Sequence, residues 1–454
     1  MRKKQISQLS IFHTMPRNEV ARELEAISRV LDDNPGIYEL IYQDMVRAKR
    51  ADTGREGMTA EQVLRCAIVK QYRNLSYEEL AFHLEDSQSF RAFCRLRMGQ
   101  RPGVSTLQEN IKQLRPRTWE AVNGLLIRYA EAQRIEKGRT VRLDATAVES
   151  NIHYPTDSRL LEDGIRLITR LLIEGKRLRP TPGYGYCDHR RVAKKRVTAI
   201  VNTRSSTVRQ KAYRDLLVVA RRVVGYATGA ISALDRFRSD DGAELSRARV
   251  LMEKLERALM IFTRVIDQTE RRVMWGEKVA ASEKVVSLFE YHTDIIEKGG
   301  RETCYGHKVY VTGGRSGLIL DCRVVRGNPR DSSLFSELIC RQEALYGRVP
   351  RQVAADGGFA SLDNLRWAKA KGLTDVMFSK RRGLSVLDMV KSHWVYRRLR
   401  NFRAGIEASI SWLKRTFGLA RCTWRGWRSF QQYVWSAVVS YNLHVLGRLK
   451  MATL

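Results

Sequence analysis

The apolar positions of the chain begin in a helical pattern. Across residues 59–130, hydrophobic side chains recur at helical spacing, as at Val63, Leu64 and Ile68. A Ser or Thr three positions before a Gln or Glu forms a capping box, which marks a helix start. Three such pairs predict three helix starts: Thr59 with Gln62, Ser76 with Glu79, and Ser105 with Gln108. This part of the chain is therefore expected to be all-helical.

The spacing changes to a strand pattern at residue 139. The stretch RTVRLDATAV alternates apolar and polar residues and predicts a strand that ends in Asp144. Strand signals then stop until about residue 305, and residues 158–300 are helical in pattern. Their heptad-like seam consists of Leu251, Leu255, Leu259, Phe262 and Ile266. We therefore expect a large helical insertion after the first strand.

Strand patterns resume in the last third of the chain. Residues 307–314 and 317–325 flank a glycine-rich link, which favours an antiparallel hairpin. A helix, a short strand that ends in Asp356, a second helix and the strand TDVMFSK follow. A third helix then contains residues 403–415. This order predicts a mixed α/β sheet flanked by helices.

At 454 residues the chain is long enough for two or three domains. The patterns predict four regions along it. These are an N-terminal arm and helix at 1–57, a helical, helix-turn-helix-like region at 58–135, a sheet domain at 136–157 with 301–450, and a basic helical insertion at 158–300.

The charge balance predicts a polyanionic partner. The chain has 81 Lys and Arg residues against 49 Asp and Glu residues, and its formal net charge is +32. Nucleic acid is the most common partner of such a protein. A membrane is the alternative, but we find no apolar run of spanning length and no apolar core in the basic N-terminal segment. Seven scattered cysteines without a CxxC pair favour reduced thiols and a cytoplasmic location.

One basic block stands out within the predicted insertion. Residues 190–222 hold eleven Lys or Arg residues and a single acid, Asp215. A solvated helix face normally mixes charges of both signs, so this block favours contact with a phosphate backbone. A plain basic surface is the alternative. The candidate DNA-binding residues are Arg190, Arg191, Lys194, Lys195 and Arg196. The helical region at 58–135 is a second candidate, unless it merely packs as a bundle.

Two aspartates are predicted at strand ends, where ligands gather in α/β sheets. Asp144 and Asp356 each follow apolar strand residues, and Gly357 and Gly358 come directly after Asp356. A buried carboxylate without a partner is unfavourable, and a divalent metal ion would compensate its charge. The alternative is that each aspartate caps the turn or helix that follows it.

The predicted helix RAGIEASISWLKR carries a carboxylate between two cations. Arg403, Glu407 and Lys414 fall within roughly 60° of one another on one helix face. An ordinary ladder of surface ion pairs is one interpretation. The other is that Glu407 binds a metal ion while Arg403 and Lys414 contact phosphate.

Three parts of the sequence resemble the DDE transposases of bacterial insertion sequences, whose catalytic domain has a ribonuclease H-like fold. The resemblance lies in TVRLDATAVESNIHYPTDSRLL, in GHKVYVTGGRSGLILDCRVVRGNPRDSSLF with VPRQVAADGGFAS, and in RAGIEASISWLKRTFG. The last segment contains the spacing R-x3-E-x6-K. Many relatives have a tyrosine three residues before that arginine, where this chain has Arg400.

The resemblance implies a site and a reaction. Asp144, Asp356 and Glu407 would hold two Mg²⁺ ions, for which Mn²⁺ would substitute, and Arg403 and Lys414 would contact the cleaved strand. Cleavage at the ends of the element would free a 3′-OH that then attacks target DNA. The partners would be double-stranded terminal inverted repeats and target DNA, held by a homodimer or larger complex in the bacterial cytoplasm at the nucleoid. A nuclease that does not join ends and a non-catalytic DNA-binding regulator are the alternatives.

Overall fold

A computed structural model describes residues 3–4, 18–47, 57–297 and 303–452. The chain divides into two compact units. Residues 1–151 and 306–454 form the first, which we call the sheet unit, and residues 152–305 form the second, the helical unit. The sequence placed the boundaries of the insertion at 158 and 300.

The sheet unit begins with seven helices. They are α1 Glu19–Asp32, α2 Gly36–Val46, α3 Ala60–Tyr72, α4 Tyr77–Asp86, α5 Gln88–Phe93, α6 Val104–Gln113 and α7 Pro116–Ala132. The capping boxes at Thr59 and Ser76 are confirmed. The one at Ser105 is wrong, because α6 already begins at Val104 with Gly103 as its N-cap. Every residue of α3 is buried, so any contact of this region with a partner must come from its other helices.

The described strands form one mixed six-stranded sheet. They are β1 Thr140–Glu149, β2 Asp294–Ile296, β3 Cys304–Gly313, β4 Ile319–Val325, β5 Gln352–Ala355 and β6 Asp375–Phe378. The order is β2-β3-β1-β5-β6, and β4 also pairs with β3 as the predicted antiparallel hairpin. The short strand β2 was not predicted.

Strand β1 is longer than its sequence pattern suggested. It runs parallel to β5 from Thr140 to Leu143 and antiparallel to β3 from Arg142 to Glu149. The prediction that β1 ends in Asp144 is therefore wrong, because the pairing with β3 carries the strand five residues further. Asp144 lies instead at the point where β1 separates from β5.

The remaining helices of the sheet unit follow the hairpin. They are α12 Phe335–Tyr346, α13 Leu362–Ala370, α14 Val386–Met389, α15 His393–Arg415 and α16 Trp427–Ala452. Helix α15 packs on β1, β5 and β6, and α7 and α16 pack on β4. Asn442 of α16 fixes this layer, since its amide accepts from Ile319 N at 2.8 Å and donates to Asn123 Oδ1 of α7 at 2.7 Å. One hydrophobic core therefore joins the N-terminal helices to the sheet.

The helical unit has a core of its own. It contains α8 Asp157–Gly175, α9 Arg190–Asn202, α10 Ser206–Asp235 and α11 Gly242–Thr269. The predicted seam on α11 is confirmed, with Leu259 half-buried and its other four members buried. Short helical turns in the described chain lie at Glu270–Met274, Asp331–Leu334 and Gly357–Phe359.

Helix α10 was not expected to reach membrane-spanning length and apolarity, yet by length and composition alone it does. That is weak evidence for a membrane span, since core helices of other proteins meet the same criterion. One face of α10 packs against α8, α9 and α11. Arg221 and Arg222, in the middle of the helix, are exposed.

The packing of α8 on α11 can be tested at one glycine. A Cβ atom at Gly164 would lie 2.0 Å from the ring of Phe262, which is fully buried. We expect Gly164→Ala to lower the free energy of unfolding by about 1–3 kcal/mol through overpacking. Gly225→Ala on α10 is the matched control, because nothing lies within 4 Å of its Cβ position. The control should raise stability by roughly 0.5–1 kcal/mol. Urea unfolding of the full chain, followed by circular dichroism, measures both, and equal shifts would contradict this packing.

Candidate active site

Two aspartates lie side by side at the edge where β1 and β5 separate. The parallel register places Leu143 opposite Ala355, so Asp144 follows one member of this pair and Asp356 follows the other. The amide of Asp356 donates to Leu143 O at 3.3 Å, which fixes this arrangement. The strand-end prediction thus holds for Asp356, which directly follows β5.

Helix α15 brings a third carboxylate and an arginine to the same edge. Its buried face, which includes Leu399, Ile406 and Leu413, packs toward the sheet. The Arg142 guanidinium of β1 donates to Phe402 O at 3.0 Å and ties the helix to the strand. The next residue of the helix is Arg403.

The Arg403 guanidinium contacts all three predicted carboxylates. Its Nη2 atom lies 2.9 Å from Asp144 Oδ2 and 3.3 Å from Asp356 Oδ1. Its Nη1 atom lies 2.9 Å from Glu407 Oε1. The i,i+4 ion pair of the simpler interpretation is therefore present, and the same guanidinium reaches an aspartate 259 positions away in the chain.

The side chains of this cluster range from buried to open. The exposed fraction is 12% for Asp144 and 16% for Arg403, but 40% for Asp356 and 62% for Glu407. The floor of the site is therefore shielded from solvent, and its mouth lies on the side of Glu407. A ligand can reach the carboxylates from that side.

The environment shifts the pKa values of the two aspartates in opposite directions. Burial raises the pKa of Asp144, although Arg403 and the Ala145 amide act against it. Burial also acts to raise the pKa of Asp356, but the hydrogen bond from Ser379 and the charge of Arg403 outweigh this effect. The amides of the two glycines after Asp356 add to these, so the pKa of Asp356 is lowered. Asp356 is therefore the more readily ionised of the pair.

The sequence did not reveal several residues around Asp356. Ser379 Oγ donates to Asp356 Oδ1 at 2.9 Å, and Lys380 packs so closely that a Cβ at Gly357 would lie 2.6 Å from it. Both residues directly follow β6, so the strand-end argument that singled out Asp356 also applied to them.

A second aspartate supports the loop after Asp356 from the other side. A Cβ atom at Gly358 would lie 2.3 Å from Asp331 Oδ2. Asp331 itself accepts from Lys308 Nζ at 2.9 Å and from the Tyr310 hydroxyl at 3.0 Å. Glycine is therefore required at both positions, because a side chain there would collide with Lys380 or Asp331.

The donor set suits a hard divalent cation, because carboxylate oxygens are the ligands that Mg²⁺ and Mn²⁺ prefer. Within the described chain, no three or more His, Cys, Asp or Glu side chains are grouped as a metal site, and the Arg403 guanidinium lies among these carboxylates. Arg403 Nε is buried without a hydrogen-bond partner among the described residues. The chemistry of the three carboxylates thus suits a divalent cation, while Arg403 supplies the positive charge among them in this structure.

The other predicted site residues lie apart from this cluster along their helices. Lys414 is half-buried on α15, about 10 Å beyond Glu407 along the helix axis. In the helical unit, Arg190 pairs with Asp188 at 2.6 Å and Arg196 with Asp215 at 3.5 Å. The Arg190 side chain lowers the pKa of Asp188 to about 2.

Three cations of α9 remain without such compensation. Arg191, Lys194 and Lys195 are exposed, and no ion pair to them is present in the described ranges. The five candidates of the basic block therefore divide into two neutralised residues and three available ones.

Two segments of the chain match known protein families. Residues 289–443 match the family described as Transposase DDE domain, and residues 12–113 match the family described as Transposase domain (DUF772). The first segment contains Asp356, Arg403, Glu407 and Lys414, whereas Asp144 precedes it. Together the two segments cover more than half of the chain. No curated protein and no solved structure matches the chain.

Both families are transposase families, and the longer match is the one described as the DDE domain. The chain therefore belongs to the DDE transposases of insertion sequences and is an enzyme that acts on DNA.

Proposed function

We propose that Asp144, Asp356 and Glu407 are the catalytic carboxylates of this transposase. They would hold Mg²⁺, for which Mn²⁺ can substitute. The observation that carries the proposal is their convergence on the single Arg403 guanidinium from β1, from the end of β5 and from α15. The position of β1 between an antiparallel β3 and a parallel β5 supports a ribonuclease H-like sheet.

The residues of this site have separate roles in the proposal. Ser379 orients Asp356, and the glycines that follow it allow a DNA strand to approach closely. Glu407, the most exposed carboxylate, completes the site at its mouth. Bound metal would supply activation of the attacking oxygen and charge stabilisation of the leaving oxygen. Arg403 would turn to a phosphate, which a planar guanidinium binds well through two hydrogen bonds. Lys414, further along α15, would contact the same strand.

The substrate is proposed to be double-stranded DNA at the terminal inverted repeats, followed by target DNA. Cleavage frees a 3′-OH, and that hydroxyl attacks a phosphodiester of the target. Joining two ends requires at least a homodimer, and the nucleoid in the bacterial cytoplasm is the place where both substrates are found. Arg191, Lys194 and Lys195 of α9 would follow the DNA backbone, since their charges are not neutralised by acids.

The first prediction separates catalysis from DNA binding. We expect Asp356→Ala to bind repeat-end DNA like the wild type but to lose cleavage by at least about 100-fold. The reason is that replacing even a residue that only supports a metal ligand typically lowers metal affinity or activity by about 10–100-fold. A supercoiled plasmid with the repeats, incubated with Mg²⁺ or Mn²⁺, measures cleavage, and a second plasmid as target detects joining.

Asp363→Ala is the matched control for this assay, because Asp363 is an exposed aspartate on α13. It should cleave normally. Cleavage retained by Asp356→Ala would overturn the site assignment. Cleavage by the wild type without any joined product would favour a nuclease that does not join ends.

The second prediction concerns competition between Arg403 and metal. Because Arg403 contacts the same carboxylates, Arg403→Ala should bind Mn²⁺ about tenfold more tightly in the absence of DNA, given the usual strength of hydrogen bonds to charged groups. Calorimetry or electron paramagnetic resonance of Mn²⁺ measures this affinity. Arg400→Ala, an exposed arginine on the same helix, should leave it unchanged. Weaker Mn²⁺ binding by Arg403→Ala would show that the arginine does not compete with metal.

The third prediction tests the DNA path on α9. The triple variant Arg191→Ala, Lys194→Ala and Lys195→Ala should reduce the salt slope of DNA binding by about 0.9 for each lost phosphate contact. The control removes the same charge from exposed positions of α11 with Arg249→Ala, Lys254→Ala and Arg257→Ala. Fluorescence anisotropy at several salt concentrations measures both slopes. Equal changes in the two variants would argue against a specific path along α9.

A further inference from the structure

A groove rich in arginine crosses the sheet unit at the edge formed by β4. Two cavities of about 520 and 430 Å³ share the side chains of Arg115 and Arg428, so they are parts of one groove. The first turn of α7, strand β4 and the first turns of α16 line the larger cavity, and α2 and the end of α6 line the smaller one. The proposed catalytic carboxylates line neither cavity.

Most of the charged lining residues are cations. Arg115, Arg117, Arg323, Arg341 and Arg428 line the larger cavity, with Glu120 as its acid. The smaller cavity adds Arg47 and Lys112 and two acids, Asp44 and Glu109. The groove therefore has seven cationic and three acidic lining residues.

Three of these arginines are already neutralised by acids. Arg341 lies 2.6 Å from both Asp321 and Glu120, and Arg323 lies 2.7 Å from Glu337. Arg115 forms an ion pair with Asp44. These contacts fix the walls of the groove and leave its other cations to interact with something else.

Arg117 and Arg428 are the cations best placed for a ligand. Both are exposed, and neither forms an ion pair with an acid in the parts of the chain described here. Arg428 Nη2 donates to Gln113 O at 3.3 Å, which holds it at the connection between α6 and α7. Nearby, burial lowers the pKa of Lys112 and the charge of Arg425 lowers it further. Positive charge is thus concentrated here without sufficient acid to balance it.

Side-chain hydrogen bonds and two helix N-termini surround the groove. Gln432 of α16 donates to Lys112 O at 3.2 Å and to Leu114 O, and Asp44 accepts from the Arg115 amide at 2.8 Å. Helices α7 and α16 have no acidic residue in their first turns, so the positive ends of their dipoles add to the charge of the side chains.

We propose that this groove binds the phosphate backbone of duplex DNA, as a contact surface separate from the catalytic carboxylates and from α9. The two cavities adjoin at Arg115 and Arg428 and are open to solvent, and their available cations are exposed arginines, which suits a chain of phosphodiesters better than an enclosed small molecule. The inference rests on the proposed DNA substrate and adds a second place at which that substrate is held.

The double variant Arg117→Ala and Arg428→Ala tests the groove. Its salt slope of DNA binding should fall by about 1.8, the amount expected for two lost phosphate contacts. The loss should be the same for repeat-end DNA and for a random duplex of equal length, because phosphate contacts do not read sequence. Arg351→Ala with Arg366→Ala is the control, since both are exposed cations of the sheet unit that line neither cavity.

A second pair, Arg117→Gln with Arg428→Gln, keeps the length and polarity of the side chains and should give the same loss. Equal slopes for the groove variants and the control variant would overturn the proposal. A second result would also overturn it. Calorimetry would show that the wild type binds inorganic phosphate and that the double variant does not, while the double variant binds DNA as tightly as the wild type. In either case a reduced slope in the α9 variant, or loss of cleavage in Asp356→Ala, would leave the proposed function intact.

Discussion

The geometry of the site depends on one guanidinium placed among three carboxylates. Asp144, Asp356 and Glu407 carry like charges at the end of a sheet, and Asp144 is largely shielded from water. Bringing them together without a cation would be unfavourable, since neighbouring carboxylates resist ionisation and burial disfavours charge. Arg403 supplies the compensating charge from within the same helix as Glu407. The cluster is thus held together electrostatically by the contacts of Arg403 with one oxygen of each carboxylate.

The fold serves this cluster by aligning distant parts of the chain. The parallel pairing of β1 with β5 sets Asp144 beside Asp356, and α15 lies across both strands. The antiparallel pairing of β1 with β3 then carries the chain past the site and toward the helical unit, which begins at residue 152. The insertion therefore follows soon after Asp144 in the sequence, and the other residues of the cluster come from the segment beyond the insertion.

Much of this could be predicted from the sequence because local patterns determine it. Apolar spacing located most of the helices and five of the six strands, and the position of Asp356 followed from its strand. Only one helix was expected before residue 58, where the structure has α1 and α2, and α14 was not predicted. Pairing between strands is not local, so the continuation of β1 past Asp144 was missed. The contacts of Ser379, Lys380 and Asp331 with the loop after Asp356 join segments that are distant in the chain, which no spacing reveals. The N-cap of α6 was misplaced because Gly103 takes a role that Ser105 also suits.

The most direct test of the account is to locate the bound metal on the polypeptide itself. Fe²⁺ would replace Mg²⁺ in the full chain, and peroxide with ascorbate would then cut the backbone close to the bound iron, with the fragments identified by mass spectrometry. The account predicts cuts beside Asp144, Asp356 and Glu407, suppressed by excess Mg²⁺ and absent in Asp356→Ala. Cuts confined to other parts of the chain, or cuts that persist in Asp356→Ala, would contradict it.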